Sequence, residues 1–237
     1  MYVECLFFGG KMKIFRYFSK FEWALWGSSL FLIAAFYCLF DRSSPLTLIA
    51  SLLGATSLIF CAKGNPFGQV LMIIFSVIYG IISYSFAYYG EMITYLCMTG
   101  PMAVFALVSW LRNPYNGNKA EVKVNRLKRG EIVFMMILTL IVTAIFYFIL
   151  NFFNTANLLP STISVTTSFI AVYLTFRRSP YFALAYAAND IVLIILWVMA
   201  TLESISYISV VVCFVMFLAN DIYGFVSWRK MEKWQNS

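Results

Sequence analysis

Eight apolar stretches of roughly twenty residues each leave this chain little choice of solvent. They cover residues 23–40, 46–62, 67–89, 91–110, 131–150, 161–176, 181–201 and 205–228. A helix rises about 1.5 Å per residue, so about 20 residues cross the ~30 Å hydrocarbon core of a bilayer. Inside that core backbone polar groups must bond within the protein, and helices do so segment by segment. Composition agrees: 62% of residues are hydrophobic, only 11% are charged and the mean hydropathy is +0.83, too apolar for a soluble domain. The stretches at 46–62 and 161–176 are the shortest, and the first has the weakest claim to a full span.

Charge sets the expected orientation. With eight spans and the N-terminus inside, sixteen Lys and Arg, from Lys11, Lys13 and Arg16 to Lys233, fall on the inner side, and Arg42 alone falls outside. Dropping the first span spoils this asymmetry. The expectation is a multi-pass protein of the cell membrane with both termini cytoplasmic. The net charge of +7 therefore answers to lipid headgroups, not to nucleic acid. Histidine is absent, which removes the commonest metal ligand and general base. The cysteines, Cys5, Cys38, Cys61, Cys97 and Cys213, lack CxxC spacing and read as small buried hydrophobes. Neither a metal, a cofactor nor a catalytic constellation is indicated.

A faint repeat organises the spans. EMITY (Glu91–Tyr95) returns as ESISY (Glu203–Tyr207), VSW (Val108–Trp110) returns as VSW (Val226–Trp228), and Asn65-Pro66-Phe67 echoes Ser179-Pro180-Tyr181. Spans two to four thus match spans six to eight, with one span between them. A single intervening span gives both units the same orientation, a parallel repeat about an axis along the membrane normal. The expected divisions are residues 1–45 (N-terminal segment and first span), 46–111 (first three-helix bundle), 112–159 (basic loop and linker helix), 160–228 (second bundle) and 229–237 (cytoplasmic tail).

Polar residues inside apolar spans are expensive and so point to function. The seventh span carries Asn189-Asp190 and the eighth Asn220-Asp221. In antiparallel helices both carboxylates lie roughly 10–14 Å from the same membrane face. Tyr186, Asp190 and Trp197 share one helical face, Asp221 shares one with Phe214, Phe217 and Trp228, and Asn220 is a turn from Tyr223. Such faces suit a flat organic ligand, with cation–π attraction from the rings and counter-charge or hydroxyl acceptors from the carboxylates. The bland alternative is that the Asn and Asp join helices, worth about 0.6–2 kcal/mol per contact. Gln69 and the run Thr166-Thr167-Ser168 are further cavity candidates. Glu91 and Glu203 read as markers of outer loops, not as ligands. The expected binding set is Gln69, Tyr186, Asn189, Asp190, Trp197, Asn220, Asp221 and Tyr223.

RRSPYFALAYAANDIVLIILW followed by FLANDIYGFVSW, with KGNPFGQ, YYGEMITYL and SWLRNPYNGNKAEVKVNRL, resembles the PnuC family of membrane vitamin transporters, in particular its Gram-positive-type members. The resemblance spans nearly the whole chain and is weakest over residues 1–45. It implies an all-α, SWEET-like pair of parallel three-helix bundles joined by a linker helix, here with an extra N-terminal helix. It also implies no enzymatic activity, and nicotinamide riboside uptake by facilitated diffusion, with a separate kinase trapping the substrate as a phosphate. Phe182 and Ala185 stand where other members are Trp-rich. Relatives of such carriers take thiamine, riboflavin or deoxynucleosides, which stand as alternatives. An intramembrane aspartyl protease is a remote one, since here both Asp follow Asn. Self-association is left open.

Overall fold

The computed structural model describes residues 17–42, 44–85, 89–155 and 157–237. Cys5, Lys11, Lys13 and Arg16 lie outside them. Among the described residues eight helices are long and apolar enough to cross a membrane, one on each apolar stretch. They are α1 (Lys20–Phe40), α2 (Pro45–Ala62), α3 (Phe67–Ser85), α4 (Tyr89–Arg112), α5 (Arg129–Phe152), α6 (Leu158–Phe176), α7 (Phe182–Thr201) and α8 (Ile208–Gln235). The doubtful first stretch forms a full helix of 21 residues. Ser19 starts it with a capping box: its hydroxyl accepts from the Glu22 N–H, and the Glu22 carboxylate accepts from the Ser19 N–H.

Two three-helix units are visible in the packing. Helix α3 lies between α2 and α4, and α7 lies between α6 and α8. Across the seam α2 meets α8 and α4 meets α6, so each unit's first helix packs on the other's third. Helix α5 joins the units and lies along α6, while α1 sits against α8 and α2. The outer face of α5, with Val133, Phe134, Leu140 and Ile141 exposed, is the apolar surface that lipid covers.

The repeated motifs occupy matching places. The Trp110 indole on α4 donates to the Thr175 carbonyl near the end of α6, at 2.9 Å. The Trp228 indole on α8 donates to the Cys61 carbonyl near the end of α2, at 2.8 Å. Both indoles are fully buried and their rings lie 5.3 Å apart. The turns after α2 and α6 also agree: Gly64 has φ 65° and Arg178 φ 58°, and each is followed by a fully buried polar residue, Asn65 or Ser179, and a proline. Left-handed backbone suits glycine and is strained for arginine, so the second turn is the costlier one.

The basic loop, legible in the sequence only as charge, is ordered. Pro114–Tyr115 pairs antiparallel with Asn118–Val122 (strands β1 and β2) through an Asn116-Gly117 turn with φ 47° and 79°, the left-handed pair that a tight hairpin requires. The following segment ties both unit turns together. The Val122 N–H donates to the Gly64 carbonyl and the Asn125 N–H to the Arg178 carbonyl, both at 3.0 Å. Residues 229–237, expected as a tail, instead continue α8 to Gln235. Glu232 is buried between Arg126 and Arg229, and the Gln235 side chain bonds the backbone of Val122 and Val124. Cys61 and Cys213 are buried as expected, whereas Cys38 and Cys97 are exposed; all four are free thiols.

Candidate functional site

The units enclose a cavity with two adjoining chambers, of about 110 and 350 Å³. The inner one is walled by α2, α3 and α4 on one side and α6, α7 and α8 on the other. The outer chamber reaches Phe40, Asp41 and Arg42 between α1 and α2, and Tyr207 before α8, so it opens at the end opposite the basic loop. Toward the basic face the way is closed by Trp110, Trp228 and Phe182, all buried and in mutual ring contact.

Asp190 and Asp221 both line the inner chamber and are close enough to interact electrostatically. Each is only 4% exposed, and Asp190 Oδ2 has no hydrogen-bond partner among the described residues. An unsatisfied buried oxygen in an apolar setting is costly, and a ligand hydroxyl or cation would relieve it. Next to Asp190, the Asn189 side-chain oxygen accepts from Ser164 Oγ at 3.0 Å and lies 2.9 Å from Thr167 Oγ1. These hydroxyls on α6 fix the amide, and no described group accepts from its Nδ2, which leaves a donor for a ligand. Tyr186 and Trp197 complete the part of the wall supplied by α7, and the Trp197 ring lies 5.4 Å from that of Tyr207.

Three residues of the expected set lie away from the cavity walls. Asn220 Nδ2 donates to Ser29 Oγ on α1 at 2.9 Å and to the Met216 carbonyl. The Tyr223 hydroxyl donates to Glu22 at 2.7 Å, and Lys63 pairs with the same carboxylate at 3.1 Å. Successive helical residues differ by about 100°, so when Asp221 faces the cavity Asn220 turns to the α1 seam. Gln69 donates to Cys61 Sγ at 3.3 Å between α3 and α2. Of the Thr-Thr-Ser run, Ser168 lines the cavity, Thr167 holds Asn189, and Thr166 meets Thr143 on α5.

The larger omission is in the first unit. Phe75 and Tyr79 on α3, and Glu91, Thr94 and Tyr95 on α4, all line the inner chamber. Glu91, expected in an outer loop, is therefore a wall residue, while its repeat partner Glu203 is exposed as expected. A π-helical stretch follows at Thr94–Thr99, where the Gly100 N–H bonds the Tyr95 carbonyl five residues back. Pro101 lacks an N–H, so the regular ladder fails beside it. Gly100-Pro101 was the available signal.

Comparison with known proteins agrees with this architecture. Nicotinamide riboside transporter PnuC of Neisseria mucosa is 26% identical over 228 residues, which cover 94% of this chain and 86% of the relative. A crystal structure of the vitamin B3 transporter PnuC superposes with a TM-score of 0.76 at 23% identity, over 91% of this chain and 93% of that one. A family model described as nicotinamide mononucleotide transporter matches residues 44–230, more than three quarters of the chain. That match sets aside the protease reading of the two aspartates, and the chain belongs to the nicotinamide mononucleotide transporter family, as a multi-pass membrane transporter and not an enzyme.

Proposed function

We propose that the chain is a facilitative carrier of nicotinamide riboside in the cell membrane, with its basic face and both termini in the cytoplasm. One observation carries the reading: two carboxyls and a fixed amide sit among aromatic rings, in an inner wall with no Lys or Arg among the described residues. Nicotinamide riboside joins a flat, positively charged pyridinium to a ribose. Carboxylate oxygens and an amide donor suit the ribose hydroxyls, and rings with negative charge suit the pyridinium. The name of the Neisseria relative and that of the solved neighbour support the same substrate class.

The cavity opens away from the basic face, which the loop charges assign to the cytoplasm. Release inside then requires the Trp110–Trp228 contact to part while the outer ends of the two units approach. The Asp pair has no basic partner in the inner wall with which to build a proton relay, so movement is passive and a separate phosphorylation traps the substrate. The test is uptake by proteoliposomes. Labelled nicotinamide riboside should equilibrate with the outside concentration and stop there, unaffected by a protonophore. Faster uptake of thiamine, riboflavin or a deoxynucleoside, or accumulation that collapses with the proton gradient, would overturn it.

A further inference from the structure

The two chambers meet at a neck, whose shared walls are Phe75, Tyr79, Glu91, Trp197, Phe214 and Phe217. Glu91 is the acidic residue of that neck. No hydrogen bond or ion pair of its carboxylate is found among the described residues. Arg42, the one basic residue in either wall, directs Nε at the Cys38 carbonyl of its own helix end, at 2.7 Å, and lies beside Asp41. A carboxylate in this mostly apolar wall without a protein cation stays charged only when a cation in the lumen balances it.

Aromatic rings stand around it on the same unit. Tyr79 and Tyr95 have centroids 4.4 Å apart, and Phe75 lies 5.5 Å from Tyr79 and 5.8 Å from Tyr95. Ring faces combined with a half-buried carboxylate form the environment that binds organic cations. A metal ion fits poorly, because no group of three His, Cys, Asp or Glu that could hold one exists among the described residues. The Asp pair is set differently: both carboxyls line the inner chamber with the fixed Asn189 amide, an arrangement suited to hydroxyls. The repeat adds a second argument. Glu203, the counterpart of Glu91, is exposed, so a shared boundary role does not explain why Glu91 lines both chambers.

We infer that Glu91 with Tyr79, Tyr95 and Phe75 is the subsite for the cationic ring, and that Asn189, Asp190 and Asp221 take the ribose. The substrate then lies across the seam, ring on the first unit and sugar on the second. This rests on the carrier reading above and adds to it the orientation of the substrate and the residue that selects for charge.

The test compares two ligands of nearly one shape: nicotinamide riboside and its uncharged 1,4-dihydro form. Affinities are measured by calorimetry on the full-length protein in detergent. Wild type should favour the cation, and Glu91→Gln should lose about ten- to 100-fold in affinity for it while binding the neutral form within about threefold of wild type. Glu91→Asp should keep part of the preference. Tyr95→Leu should weaken the cation more than the neutral form, and this carries the test if the Glu91 variants do not fold. Equal losses for both ligands, or unchanged affinities, would overturn the subsite. So would a wild type that binds both forms equally, which leaves the carrier reading intact. A wild type that binds neither contradicts the carrier reading itself.

Discussion

The two three-helix units are alike at the basic face and unlike at the cavity. At the basic face the turn, the buried polar residue, the proline and the indole recur as Gly64, Asn65, Pro66 and Trp110 in one unit and Arg178, Ser179, Pro180 and Trp228 in the other. Counting from the matched prolines, however, Asn189-Asp190 falls opposite Phe75-Ser76. The same packing problem, closing one end of a bundle, is solved twice with the same parts. Recognition of an asymmetric ligand calls for different groups on the two walls. The difference teaches which residues belong to the scaffold and which to the site.

The largest effects should come from the shared end. Trp110→Ala and Trp228→Ala each remove a fully buried indole and its hydrogen bond to a carbonyl that keeps only its backbone donor. Each should cost about 3–5 kcal/mol of stability. Thermal unfolding without ligand checks this, and a large loss in only one of the pair would break the equivalence of the units.

At the cavity, Asp190→Asn should weaken nicotinamide riboside binding by about 1–3 kcal/mol, roughly five- to 150-fold, through loss of a charge-assisted hydrogen bond. Its melting temperature should hold or rise, because one of two interacting carboxyls is gone. A fall in melting temperature with affinity unchanged would move Asp190 from the site to the scaffold.

The turns offer a finer contrast. Gly64→Ala places a Cβ at φ 65°, 3.1 Å from Met231 Cε and 3.2 Å from Val122 Cγ1. Arg178→Gly does the reverse, and relieves a left-handed residue whose guanidinium has its pKa lowered by burial and by the Arg177 charge. The first should destabilise and the second stabilise, each by about 1 kcal/mol. The same sign for both, in paired melting curves, would deny that the turns are counterparts.

Much of this comparison was legible in the residues. Apolar length located the eight helices, and VSW/VSW with the two X-Pro turns revealed the units, since backbone dictates where a proline or a terminal indole fits. The Asp pair was found because a carboxylate in an apolar span has few structural reasons to be there. Helical angle alone did not separate Asn220 from Asp221, because the partner of Asn220 is Ser29, 191 residues away on a helix outside the repeat. Glu91 reads as an outer-loop marker because Gly90-Glu91 falls at the joint between two apolar stretches, whereas α4 already starts at Tyr89 and places Glu91 in the cavity wall. Tyr17 shows a similar limit: burial lifts its phenol to about 12, while Asn65 donates to it at 2.9 Å, a contact between distant stretches that no local pattern announces.

The central claim is that Asn189 serves the ligand while Asn220, the other half of the Asn-Asp motif, serves the helix seam. Calorimetric affinity for nicotinamide riboside, measured beside ligand-free melting curves for Asn189→Ala and Asn220→Ala, tests it directly. Asn189→Ala should lose about five- to 150-fold in affinity and little stability. Asn220→Ala should lose about 0.6–2 kcal/mol of stability and bind as wild type does. Wild-type affinity in Asn189→Ala, or a loss of affinity in Asn220→Ala at unchanged stability, would contradict it.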